Sequence, residues 1–184
     1  MLREEIEYRA ATAADASELA RFGSESFVAA YGHALRRGDL ALHVACTYSE
    51  ERQHQELVEP HAWTVLGERE GEIVGAALLR WAPPPAGLAA ELRWAELARF
   101  YVARPYWRTG VSTDLMVATL KSVRDREGPL VWLQVWEGAP YAIAFYRKWG
   151  FYEVGEAPYR VGTLMQRDLV LARSLRHGSR PSDS

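Results

Sequence analysis

Residues 130–136 (Leu-Val-Trp-Leu-Gln-Val-Trp) are apolar at almost every position. A strand of this kind must be covered on both faces, the condition of an inner strand in a layered sheet of helices and strands. Its neighbours offer the cover. Residues 112–127 place Leu115, Met116, Thr119, Leu120 and Val123 on one side of a helix, and Gly128-Pro129 stops it. Pro140 opens a second helix at its favoured first position, and Gly150 ends it. Ahead of both lie residues 92–102, a strand ending in Phe100-Tyr101-Val102. The chain is thus centred on a strand, loop, helix, strand, helix unit over residues 92–150.

The flanks extend this unit. Residues 6–9 alternate apolar and polar and form a first strand. Thr12-Ala13-Ala14-Asp15 resembles a capping box ahead of a helix that carries Leu19, Phe22 and Phe27. Ser49, followed by Glu50 and Glu51, starts another helix, and Pro60 closes it. Residues 63–69 and 72–81 are two strands joined around Glu70-Gly71 as a hairpin. Pro83-Pro84-Pro85 with Gly87 makes a stiff surface loop. Two late strands, 151–154 and 163–171, complete a mixed α/β sheet of about seven strands. Residues 1–172 are expected to form one domain, with 173–184 a polar tail.

Composition narrows the partners. Lys and Arg number 22 against 24 Asp and Glu, for a formal charge of −2. No basic field exists to hold nucleic acid or an anionic membrane. The single cysteine, Cys46, makes no internal disulfide, and the five histidines show no HxH or HExxH spacing, so no metal is expected. The charged start Met1-Leu2-Arg3-Glu4-Glu5 is unlike a secretory signal. No apolar run approaches the ~20 residues that span a bilayer. A cytoplasmic protein with a small partner is the expectation.

Three features carry chemistry. The turn from Arg104 to Thr113 leaves a strand and enters a helix, where unpaired N–H groups attract anions. Gly110 allows close backbone approach, and Arg104 and Arg108 add charge; taken alone, the segment reads as an ordinary turn with Ser112 as N-cap. Tyr146 shares a helical stripe with Ala142 and Trp149, and on spacing alone it is a core tyrosine. Glu96 and Glu137 lie near strand ends, where ligands gather in α/β sheets, although each alone reads as a solvated carboxylate.

Their combined order resembles the core of the GCN5-related N-acetyltransferase (GNAT) superfamily. The quoted residues are Arg99-Phe100-Tyr101-Val102, then Trp107-Arg108-Thr109-Gly110-Val111-Ser112, then Leu115-Met116. Trp132 to Glu137 follows, and Ala142-Ile143-Ala144-Phe145-Tyr146 through Gly150-Phe151 is the most specific piece. Trp136-Glu137 and Gln166-Arg167-Asp168-Leu169 are similar to the branch that includes polyamine acetyltransferases. Three positions depart from the pattern: Trp107 replaces Gln or Arg, Ser112 replaces the last Gly or Ala, and Ala139 replaces Asn. These departures bear on cofactor affinity.

The resemblance implies a GNAT-like mixed, mostly antiparallel sheet of about seven strands flanked by about four helices. It implies transfer of acetyl from acetyl-CoA to a primary amine, by direct attack in a ternary complex, with a small-molecule amine or polyamine favoured. The cofactor would lie on Phe100, Tyr101, Val102, Trp107, Arg108, Thr109, Gly110, Val111, Ser112, Thr113 and Tyr146. Tyr146 would protonate the leaving thiolate, and Glu96, then Glu137, would deprotonate the amine. Phe27, Tyr31, Trp81 and Glu137 would line the acceptor pocket, and Glu25 and Glu91 could attract a polyamine. Family members are often homodimers, which leaves the assembly open. The rival readings are a CoA-binding or regulatory domain on the same fold without efficient catalysis, and a protein-binding module suggested by seven tryptophans.

Overall fold

The structure, a computed structural model, describes residues 5–85 and 93–175. Its elements run β1 (Glu7–Ala10), α1 (Ala16–Tyr31), α2 (Arg37–Thr47), α3 (Glu50–Val58), β2 (Ala62–Arg69), β3 (Glu72–Trp81) and β4 (Trp94–Val102). There follow α4 (Val111–Asp125), β5 (Leu130–Trp136), α5 (Pro140–Lys148), β6 (Tyr152–Val161) and β7 (Leu164–Ser174). Asp15 accepts from the Thr12 N–H at 2.7 Å ahead of α1, and from Arg9 as well. Glu70 and Gly71 both take positive φ, as a two-residue hairpin turn requires.

Seven strands form one sheet in the order β1-β2-β3-β4-β5-β7-β6. Every neighbouring pair is antiparallel except β4 with β5. Helices α4 and α5 cover one face through Leu115, Met116, Leu120, Val123 and Ile143, all buried. The first three helices cover the other, with Leu19 and Phe22 on Leu66 and Ile73, and Phe27 on Tyr48. No helix among the described residues is long and apolar enough to cross a membrane.

The seven-strand α/β sheet agrees with the sequence expectation, and three local differences have physical causes. Helix α2 adds a fifth α-helix among the described residues. Its sequence lacks a clean apolar stripe, and only Asp39 and His43 are buried. Asp39 docks it on the β6–β7 turn: one carboxylate oxygen accepts from the Thr163 N–H at 2.7 Å and its hydroxyl at 2.6 Å, and the other accepts from Arg36 at 2.8 Å. Strand β6 runs on to Val161, and β7 to Ser174, with Leu175 buried, so ordered structure passes the expected start of the tail. Helix α4 is capped by Gly110 at φ 98°, which places Ser112 inside the helix. Gly87, Glu91, Leu92 and residues 176–184 lie outside the described residues.

Candidate active site

Strands β4 and β5 pair in parallel at Trp94–Leu130, Ala95–Val131 and Glu96–Trp132, and then part. Beyond that point β4 follows β3 until Val102 faces Gly75, while β5 follows β7 until Trp136 faces Asp168. At the divergence Leu79 faces Leu97 and Leu78 faces Arg99, so Ala98 is bulged. A bulge bends its strand and raises the local twist. It also shifts side-chain parity. Ala95, Leu97 and Val102, with Phe100 packed against them, join the α4–α5 layer; Glu96, Arg99 and Tyr101 turn to the α1–α3 side.

The gap between the strands therefore opens two ways. Toward α5 lies a cavity of about 210 Å³ bounded by Phe100, Val102, Trp107, Ala142 and Tyr146. Toward α1–α3 lies one of about 400 Å³ bounded by Phe27, Tyr31, Trp136, Tyr159 and Asp168. Tyr31, Leu97 to Arg99, Tyr101, Gln134 and Val135 line both, so the two are one cleft.

The loop after β4 edges the narrower side. Trp107 donates its indole N–H to the Val102 carbonyl at 2.7 Å, and the Thr109 hydroxyl donates to the Tyr106 carbonyl at 2.6 Å. Arg108 at φ 63° and Gly110 at φ 98° are both left-handed. The N–H groups of Thr113 and Asp114 bond back to the Gly110 carbonyl. Those of Arg108, Gly110, Val111 and Ser112 meet no backbone carbonyl among the described residues. Such a row suits a phosphate.

Tyr146 stands among the rings of Phe100, Phe145 and Phe151, with centroids at 6.4, 5.5 and 5.8 Å. Burial, with Tyr31 adding to it, pushes its phenol above the ordinary tyrosine range and keeps it protonated. Tyr101 points the other way: Tyr48 donates to its hydroxyl at 3.1 Å, so only its backbone borders the α5 side.

The carboxylates divide differently from the sequence expectation. Glu96 is buried on the cleft wall but is held by the Arg80 guanidinium at 2.5 and 3.0 Å. Glu137 is half exposed, 3.4 Å from Arg167, and lines neither cavity because it follows the end of β5. Trp81 also lies apart from Phe27 and Tyr31. It ends β3, with its ring 5.0 Å from Trp63 and under Arg93 at 3.8 Å. Glu25 is exposed beside Arg21. Asp168, given no role from the sequence, is 5 % exposed, lines the wider cavity, and leaves Oδ1 without a hydrogen-bond partner. Burial, with the charge of Glu137 adding to it, raises its carboxyl to about 6. Its signal was an acidic residue on the strand face shared with buried Val170 and Ala172.

A sheet parted at its parallel pair beside a helix-capping loop frames the cleft, and comparison with known proteins supplies its class. The model of the acetyltransferase (GNAT) family matches residues 28–151. The chain belongs to that family, whose members are generally acetyl-CoA-dependent. An uncharacterized N-acetyltransferase of Mycobacterium tuberculosis is 30% identical over 161 residues, covering 88% of this chain and 98% of the relative. Among solved structures, the PaiA N-acetyltransferase of Thermoplasma acidophilum, in complex with coenzyme A, matches with a TM-score of 0.74 at 18% identity, over 92% of this chain and 98% of that one. A GCN5-related N-acetyltransferase of Rhodopseudomonas palustris matches with a TM-score of 0.73 at 16% identity, over 95% and 99%.

Proposed function

We propose that this protein transfers acetyl from acetyl-CoA to a primary amine by direct attack in a ternary complex. The observation that carries the reading is the neutral Tyr146 phenol on the narrow side of the cleft, beside the unpaired part of β4. The N–H groups of Arg108, Gly110, Val111 and Ser112, which meet no backbone carbonyl among the described residues, would hold the diphosphate, and the parted edge of β4 would take the pantetheine arm as an added strand. An N–H near Tyr101 or Val102 would polarise the thioester carbonyl. Tyr146 would hand its proton to the leaving thiolate.

Calorimetric titration with acetyl-CoA, and with CoA for comparison, tests the first half. Micromolar binding at one site per chain is expected. No binding at millimolar ligand would overturn the reading. Trp107 bonding the Val102 carbonyl, at a loop position where the family carries Gln or Arg, favours the second reading, a CoA-binding domain without efficient catalysis. Release of CoA thiol with a panel of amines separates the two.

A further inference from the structure

Three carboxylates line the wider cavity among the described residues: Glu56, Glu96 and Asp168. Two are already matched. Glu56 takes Arg99 at 2.6 and 3.0 Å and Arg52 at 3.0 Å, and Glu96 takes Arg80. Asp168 alone has neither ion pair nor hydrogen bond, although it is almost wholly buried. A buried acceptor without a partner is costly unless a ligand supplies one.

The surroundings specify that partner. Tyr31 from α1, Trp136 from β5 and Tyr159 from β6 line the same cavity, and the Tyr31 and Trp136 rings meet edge to face at 6.4 Å. Both tyrosine phenols are raised by burial first, and the Asp168 charge adds to each. Aromatic faces around one carboxylate recognise an ammonium by cation–π attraction and a charged hydrogen bond. Arg167, the neighbour of Asp168 on β7, is engaged outward by Glu137 and Glu156.

Given the transferase reading above, on which this inference rests, we propose that Asp168 binds the acceptor's ammonium and takes its proton. We also infer that the acceptor presents a single ammonium rather than a string of charges. A polyamine needs several free carboxylates, and the described wall offers one. Asp168 removes one proton from R–NH3⁺, and the freed lone pair forms the C–N bond at the thioester carbonyl. Collapse breaks the C–S bond, and the thiolate takes the Tyr146 proton. The surplus proton on nitrogen restores the phenol, and Asp168 returns its own to solvent. One proton is released per acetyl transferred.

Tyr31 and Tyr159 share the cavity with Asp168, the Arg80–Glu96 and Arg99–Glu56 pairs line it too, and the charge of Glu137 acts from outside it. The carboxyl's raised pKa, about 6, brings it closer to an amine near 10.4 than an ordinary aspartate.

The test uses the full chain with acetyl-CoA and two probes, 2-phenylethylamine and spermidine. Wild-type protein should acetylate 2-phenylethylamine with at least tenfold higher kcat/KM than spermidine, rising as pH passes about 6. Asp168→Asn should cut that kcat/KM a hundredfold or more and abolish the rise, while acetyl-CoA binding stays within twofold. Glu156→Gln, on the exposed side of the hairpin, should change neither. Thermal unfolding and acetyl-CoA titration of Asp168→Asn verify that it is folded. An Asp168→Asn variant within threefold of wild type, or one that keeps the pH rise, overturns the role of Asp168. Preference for spermidine, or acetyl-CoA binding with neither amine consumed, overturns the substrate class. Failure of wild-type protein to bind acetyl-CoA overturns instead the transferase reading beneath both.

Discussion

Apart from the residues shared by both cavities, the groups lining the α5 side of the cleft are backbone amides, apolar rings, the Ser26 hydroxyl and the neutral Tyr146 phenol. On the α1–α3 side they are charged and aromatic side chains, and every carboxylate but Asp168 among the described lining is neutralised. The first kind of surface recognises a shape common to many ligands, because amides do not vary with sequence. The second recognises one ligand, because charge and ring placement do. The difference teaches that the two halves of this site tolerate substitution differently.

On the α5 side the largest expected effect is at Tyr146. Tyr146→Phe should lower kcat about a hundredfold, the scale of a lost general acid, and leave the acetyl-CoA Kd within twofold by calorimetry. A parallel loss of affinity would break the division between binding backbone and reacting side chain.

Asp168 offers a stability measurement of the other side. Its folded pKa, about 6, lies above the ordinary carboxylate value near 3.9, so between those pH values the folded state holds more protons than the unfolded. Its contribution to stability is therefore largest below pH ~4 and is lost as pH rises through about 6. Asp168→Asn should gain up to about 2 kcal/mol over wild type at pH 7.5 and nothing at pH 4, by denaturant titration. A variant less stable at both values would mean the carboxylate is held by the fold.

Gly110→Ala forces an L side chain into the left-handed cap at φ 98°. It should weaken acetyl-CoA binding about tenfold, with the amine KM unchanged at saturating acetyl-CoA. Smallest is Trp107→Phe, which removes the indole donor to the Val102 carbonyl. About 1 kcal/mol of stability should go, while acetyl-CoA affinity shifts less than threefold.

The same contrast explains what was legible. The α5 side is mostly local in sequence: a strand end, a glycine turn and a helix start follow one another from Phe100 to Thr113, and α5 then carries Tyr146 back to Phe100. The other side is assembled from residues far apart. Simple alternation puts Arg99 and Tyr101 on the face of Leu97; only the bulge at Ala98, set by pairing with β3, reverses them. The pairing of Glu96 with Arg80 crosses two strands, and no local pattern announces it. Trp81, expected in the acceptor pocket with the first helices and the proline loop, ends β3 and packs on Trp63 instead. Helix α2 escaped because its amphipathic signal is weak, and it is held by Asp39 rather than by an apolar stripe.

The Asp39 contact has a consequence for how the protein comes into being. It joins α2 to Thr163, 124 residues later, and Gly162 is pressed so close that a Cβ there would lie 2.6 Å from the Asp39 Cα. During synthesis α2 leaves the ribosome long before its anchor exists. A nascent chain that ends after α5 already holds the loop and Tyr146, but it lacks Tyr159 and Asp168. The part of the cleft proposed to select the acceptor is thus the last to be made.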